Sequence, residues 1–264
     1  SVDKQIHIFN KNDFSYLTSI GNFGEGPEEI TVMGCLAIDE AHHQLYVSDH
    51  AKQKIFSYDM DSVMVDSLYK PQVKTAMNET LFPSEYQYIN DTLSIAVLIK
   101  PTSTSTFNQF LGRWNMNTGE MIPMKYTHPD IQKKRITFAA SEKAGIYVEC
   151  YTRHDLMTIC SLDGELLYNI YGPDWDGGNG NKLQSFGTVM IGNDKIFVSY
   201  CGEDYARDSF PTKILVFDLE GNYLKTLETG YKISDCCYDS FNNRIILSLN
   251  DVVQFAYLDI DGII

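Results

Sequence analysis

Short stretches in which apolar residues alternate with polar ones, or run for about four positions, recur along this chain at a near-constant interval. Leu45-Tyr-Val-Ser, Leu93-Ser-Ile-Ala, Ile146-Tyr-Val-Glu, Ile196-Phe-Val-Ser and Ile245-Ile-Leu-Ser begin 48, 53, 50 and 49 residues apart. Polar turns come before them, at 40–44, 141–145, 192–195 and 239–244, and a further short strand pattern lies upstream at 36–39, 86–89, 138–141, 188–191 and 236–239. Downstream, third strands are predicted over 54–59, 110–115, 156–163, 213–218 and 253–259. Fourth strands follow in VMVDSL, MIPM, LLYNI and YLKTL. Period-two alternation of this length marks half-buried strands, and the chain shows no sustained 3.6-residue apolar period, so few helices are expected.

Four antiparallel strands repeated every 40–50 residues predict an all-β β-propeller. A single four-stranded sheet leaves two apolar faces in water, so each must stack on its neighbours. The turn residues agree, since Thr118-Gly119, Asp163-Gly164 and Glu220-Gly221-Asn222 suit tight hairpins that require positive φ. The repeats divide the chain into blades at about 1–29 (partial), 30–80, 81–130, 131–180, 181–230 and 231–264 of a single domain. IHIF at 6–9 falls in third-strand phase and YLTSI at 16–20 in fourth-strand phase, which projects the first blade's second strand to about position −4. Six blades are therefore expected, with the first incomplete in this chain and its inner strands upstream of Ser1. Five blades closed in another way are the alternative.

With the strands placed, GNFGEGPEEI (21–30) resembles the G-x-x-G-x-G-P turn of NHL-like six-bladed propellers. LYVSDHAKQKIFSYD (45–59), PSEYQYIND (83–91) and KTLETGYKISD (225–235) resemble, over essentially the whole chain, the TolB-like six-bladed β-propeller family. That resemblance implies an exported protein: a periplasmic or outer-membrane-attached lipoprotein of a Gram-negative bacterium, with a lipid anchor upstream of this chain. It implies no defined activity.

Charge narrows the partners. With 21 Lys+Arg against 35 Asp+Glu the net charge is −14, and the longest basic run is Lys133-Lys134-Arg135, here read as part of a solvated loop. Phosphate backbones and anionic membranes require clustered cations, so nucleic acid is excluded as the main partner. No apolar run approaches the ~18 residues of a membrane-spanning helix. The six cysteines form no CxxC and match no zinc spacing, so they read as small apolar residues, with Cys236 and Cys237 on opposite faces of a strand.

Catalytic signatures are weak. Gly21, Gly24, Gly26 and Pro27 lack the following helix and Lys-Ser/Thr of a phosphate loop, and read as a crossing between blades. Asp174–Asn181 loosely resembles a calcium loop, but the twelfth position is Ser185 where a bidentate Glu is needed. No cofactor is expected, with calcium the one candidate. The histidines form no HExxH, and no G-x-S-x-G elbow occurs.

Topology says where a ligand belongs. Loops between second and third strands share one face with the loops between blades, and here they are long and chemically mixed. Asp49, His50, Arg153, His154, Asp155, Trp175, Glu203, Asp204, Tyr205, Arg207 and Asp208 gather both charges and aromatic faces there. The expected function is a non-catalytic exported scaffold presenting this long-loop face to a protein, peptide or glycan. The alternative is a metal-dependent hydrolase or lyase resembling gluconolactonase-type propellers, with a divalent cation on the axis held by carboxylates such as Asp49, Glu149, Glu203 and Asp235.

Overall fold

The computed structural model describes residues 3–66, 68–180, 183–204 and 209–264. Two compact units are present, Ser1–Pro123 and Met124–Ile264. In the first, β1 (Lys4–Phe9) and β2 (Tyr16–Asn22) form a two-stranded antiparallel pair. Two four-stranded meanders follow. One runs β3 (Met33–Asp39), β4 (Gln44–Asp49), β5 (Lys54–Asp59), β6 (Gln72–Ala76), and the other β7 (Phe82–Asn90), β8 (Leu93–Pro101), β9 (Phe107–Trp114), β10 (Met121–Pro123).

Period-two alternation gives each sheet two packed faces. From β4, Tyr46 points with Ala37 and Ile55 toward Tyr86, Ala96, Leu98 and Trp114 of the next sheet. Its neighbours Leu45 and Val47 point the other way, with Phe56 and Tyr58, onto Ile6 and Ile20 of the β1–β2 pair. Each fully buried aliphatic or aromatic side chain contributes about 1.5–3 kcal/mol, so the second and third strands carry most of the stability.

One strand differs from expectation. VMVDSL is not the fourth strand of its repeat; residues Met60–Val65 form a short helix, α1, and the fourth strand is β6, further along. The Asp59 carboxylate accepts the Ser62 N–H at 2.7 Å, capping a first helical turn, and only Val63 of α1 is buried.

The second unit holds β11 (Ile136–Ser141), β12 (Ile146–Tyr151), β13 (Leu156–Ser161) and β14 (Leu166–Tyr171) in one meander. The next is β15 (Leu183–Gly192), β16 (Lys195–Asp204), β17 (Lys213–Asp218) and β18 (Tyr223–Glu228), followed by a three-stranded β19 (Ile233–Asp239), β20 (Arg244–Leu249), β21 (Phe255–Asp259). Val148, Cys150, Met157 and Ile159 pack on Phe186, Val189, Ile196 and Val198. Phe197, Ile214 and Val216 pack on Cys236, Ile245 and Leu247. All six residues of β12 are buried, whereas the outer β14 is mostly exposed. Between β15 and β16, Asn193 and Asp194 both hold positive φ (48° and 54°), the two-residue turn whose twist matches a hairpin.

Cys236 is buried and Cys237 exposed, as alternation requires, and none of the six cysteines forms a disulfide. No helix among the described residues is long and apolar enough to cross a membrane.

Candidate functional site

At the loop end of the β11–β14 sheet, the four-residue turn 152–155 between β12 and β13 meets the loop that follows β14. Asp155 staples them. Its backbone carbonyl accepts the Gly172 N–H at 2.8 Å and its carboxylate accepts the Asp174 N–H at 2.9 Å. Glycine at 172 is a steric requirement, since a Cβ there would lie 2.0 Å from Asp155 Oδ2. Asp155 is 4% exposed, and burial raises its carboxyl above the ordinary carboxylate value; the Asp174 N–H only partly opposes this.

The staple places Trp175 among three rings. Tyr171 lies 5.0 Å away, His128 5.4 Å and His154 6.0 Å, centroid to centroid. His128 is fixed by the Asp130 N–H donating to Nδ1 at 3.3 Å, which leaves Nε2 to donate to the Tyr171 hydroxyl at 3.0 Å. The His154 ring packs against Tyr151, and its buried Nδ1 has no hydrogen-bond partner, the Asp176 carboxylate standing 3.7 Å off. Burial lowers the pKa of both histidines, in His154 against the pull of Asp176. Trp175 is half-buried, and Arg153 and Tyr171 are exposed at the rim. The result is an amphipathic surface of aromatic faces, one cation and a carboxylate over the buried His154 ring.

His154, Asp155 and Trp175 thus come together, with Arg153 exposed beside His154 in the chain. Sequence reasoning left His128 and Tyr171 out of the set, although both lie in the loops that flank this sheet, 126–135 and 171–182. Glu203 is exposed near the end of β16, its carboxylate accepting from Ser209 Oγ at 3.0 Å. The side chain of Asp204, and Tyr205, Arg207 and Asp208, lie outside the described residues.

Asp49 and His50 belong to the first unit, where Asp49 also acts as a staple. Fully buried, its carboxylate accepts the N–H groups of Thr31, Val32, Ala51 and Lys52 at 2.8–3.2 Å. Burial alone raises its pKa, but those four donors outweigh it and hold the carboxyl below the ordinary value. Lys52 Nζ completes the clamp by donating to the Gly24, Gly26 and Glu29 carbonyls. The loop thus wraps an ammonium, with Gly21 at φ 73°. His50 packs against Gly34, where a Cβ would sit 2.0 Å from its Nε2, and meets Phe82 edge-on at 5.8 Å.

The loop ending in QKKR is not wholly solvated. Lys134 is 9% exposed, and its ammonium bonds the fully buried Glu149 at 2.5 Å, whose second oxygen accepts from Tyr151 OH at 3.1 Å. Glu149 occupies the position that is Ser48, Ser199 and Ser248 in the parallel runs, and an inward-facing carboxylate there requires a counter-charge. Among the carboxylates considered for an axial cation, Glu149 is thus neutralised, and Asp235 accepts from Thr188 Oγ1 and from the Cys236 N–H, both at 2.8 Å. Among the described residues, no three His, Cys, Asp or Glu side chains gather where they could hold one ion.

Antiparallel meanders of three or four strands, packed face to face within each unit, define a β-propeller. The chain belongs to the DUF5128 family of 6-bladed beta-propellers, whose pattern matches residues 1–149. Among the described residues the chain shows five blades of three or four strands and the incomplete β1–β2 pair, while the family is six-bladed. A protein of unknown function from Bacteroides caccae superposes over 98% of this chain and 87% of its own, with TM-score 0.55 and 12% identity. A DUF4221 family member from Bacteroides vulgatus superposes over 96% and 86%, with TM-score 0.62 and 10% identity. The extracellular domain of a putative one-component system from B. thetaiotaomicron matches with TM-score 0.55 and 12% identity; it covers 97% of this chain, which spans 31% of that one. At such identities the likeness is one of fold. No curated protein matches by sequence.

Proposed function

We propose that this protein is an exported, non-catalytic binding propeller, TolB-like and NHL-like in its loop motifs, that captures a protein or peptide partner at the loop end of the β11–β14 sheet. The observation that carries this reading is the Trp175 cluster. It is a half-buried tryptophan held by His128, His154 and Tyr171 beside the exposed Arg153. Trp, Tyr and Arg on a rigid support are the residue types that dominate protein–protein binding energy, because large pre-ordered rings bury much area at low entropic cost. A glycan is the other ligand such rings serve; the exposed guanidinium favours a peptide carrying carboxylate or carbonyl groups. Export, with a lipid anchor, is supported by the family resemblance of the loops and by the extracellular neighbour of like fold.

The test is selection of peptides on the immobilised chain, followed by titration of the best binder against Trp175→Ala and Arg153→Glu. Truncating a central tryptophan costs about 2 kcal/mol or more, so Kd should weaken roughly 30-fold. Selected peptides that bind both variants as tightly as the native chain place the partner surface elsewhere.

A further inference from the structure

Trp175 stands between two acidic residues that are tied differently. On its N-terminal side, Asp174 is stapled through its N–H to the Asp155 carboxylate, and the Trp175 N–H donates to the Gly172 carbonyl at 3.2 Å. On its C-terminal side runs Asp176-Gly-Gly-Asn-Gly180, a stretch whose three glycines all hold positive φ and have the most backbone freedom to lose on ordering. Asp176 Oδ1 accepts the Gly178 N–H at 3.1 Å, inside the stretch itself. The same oxygen stands 3.7 Å from Nδ1 of His154, a ring only 5% exposed. That nitrogen is buried and has no hydrogen-bond partner. The gap is too long for a hydrogen bond and short enough for charge to act strongly across it.

The two histidines beside Trp175 respond to a proton differently. Nδ1 of His128 already accepts the Asp130 N–H at 3.3 Å, so protonating that ring costs a hydrogen bond. His154 has no such bond to lose at Nδ1. In either neutral tautomer its Nδ1 stays unmade: as an acceptor it faces a carboxylate, and as a donor it falls short at 3.7 Å. The imidazolium donates from both nitrogens, and a charge-assisted bond to Asp176 draws the pair to about 2.8 Å. The other groups around the ring are accounted for as follows. Tyr151 of β12 and Trp175 present uncharged rings, and Gly180 closes over Cε1. Asp155, next in the chain, turns its carboxylate to the Asp174 N–H. Arg153 in the same turn opposes a second cation, and His128 and His154 oppose each other's charge. Burial, helped by Arg153 and resisted by Asp176, holds the ring below its ordinary value of 6.5. We propose that His154 is a proton-operated latch: on acidification its Nδ1–H takes the Asp176 carboxylate, which fixes the loop on both sides of Trp175 and tightens peptide capture there. The latch rests on the peptide reading of the Trp175 cluster and supplies its regulation.

NMR of the histidine rings and the Trp175 indole in the free, full chain, from about pH 8 to about pH 4.5, tests the latch without any peptide. His154 should titrate with a midpoint below 6.5, and the Trp175 indole N–H should shift with that same midpoint. Asp176→Asn keeps an oxygen for the Gly178 N–H but removes the charge, so it should lower the His154 midpoint and uncouple the indole from it. A second arm uses a peptide selected at about pH 7.5 from a library without histidine. On the native chain its Kd should tighten about fivefold or more between about pH 7.5 and about pH 5. That ratio should fall to near one in Asp176→Asn and in His154→Phe, whereas Asp155→Asn should retain it, which separates the latch from the titration of Asp155. A His154 midpoint unmoved by Asp176→Asn, an indole that does not follow the ring, or a Kd ratio that survives His154→Phe would overturn the latch. If no peptide is selected, the capture reading fails, and the resonance arm alone still upholds or overturns the His154–Asp176 closure.

Discussion

Replacing Lys134 with methionine removes the ammonium that neutralises Glu149 and keeps most of the aliphatic stem. Glu149 is fully buried, Lys134 side-chain exposure is 8%, and the carboxylate's remaining partner in the cluster is the Tyr151 hydroxyl at 3.1 Å. Breaking one side of a buried pair strands the other charge, at about 3–5 kcal/mol. For a chain of this size each kcal/mol moves the melting temperature by about 2–4 °C, so Lys134→Met should melt roughly 6–20 °C lower. The double variant Lys134→Met/Glu149→Gln retains an acceptor for Tyr151 and strands no charge. It should return to within about 1–2 kcal/mol of native. Urea unfolding followed by tryptophan fluorescence reads both units, since Trp114 lies in the first and Trp175 in the second. The cycle should show a coupling of at least about 2 kcal/mol. A Lys134→Met cost below about 1 kcal/mol, or effects additive within about 0.5 kcal/mol, would show that the pair carries no buried charge and refute the reasoning.

Two buried aspartates should give opposite pH dependences. Asp49 has its folded pKa lowered, so its contribution is present above the unfolded value near 3.9 and is lost as pH falls through the folded value. Asp155 has its folded pKa raised, so its contribution is present below the unfolded value and is lost as pH rises through the folded one. Hence Asp155→Asn should gain on the native chain between acid and neutral pH while Asp49→Asn loses, as measured by urea midpoints from pH 3 to 7; the same sign for both would contradict the assignment. Among the thiols, Cys237 is exposed, whereas burial pushes Cys35 and Cys160 up to about 11 and Cys236 to about 12. Alkylation at pH 8 followed by mass spectrometry should therefore mark Cys237 first, and equal labelling of Cys236 would show that β19 does not hold the alternation described.

Much of the architecture was legible because strand alternation is a local property. Ile146-Tyr-Val-Glu and its counterparts announce a second strand that is buried on both faces in β12 and half-buried on one face in β20, and Asn193-Asp194 announces the turn that joins such a strand to the first. The exceptions are informative. VMVDSL has a strand's composition, yet its first three residues lie in α1, whose first turn the Asp59 carboxylate caps at Ser62. The loop residues were legible as a set and not as a site. His154, Asp155 and Trp175 are close because Asp155 staples two loops, and Asp49 staples another pair in the first unit in the same way.

Periodicity and turn chemistry alone determined that this chain is an all-β propeller with its variable chemistry in the loops, since those features depend on neighbours two to four residues away. Only the tertiary structure decided which polar groups are consumed and which are left over. Lys134 found Glu149, Asp49 found four amides, and Tyr58, Asn22 and His154 kept atoms without partners. Whether a buried polar atom is satisfied depends on segments far apart in sequence meeting within about 3 Å, a distance that no local pattern encodes.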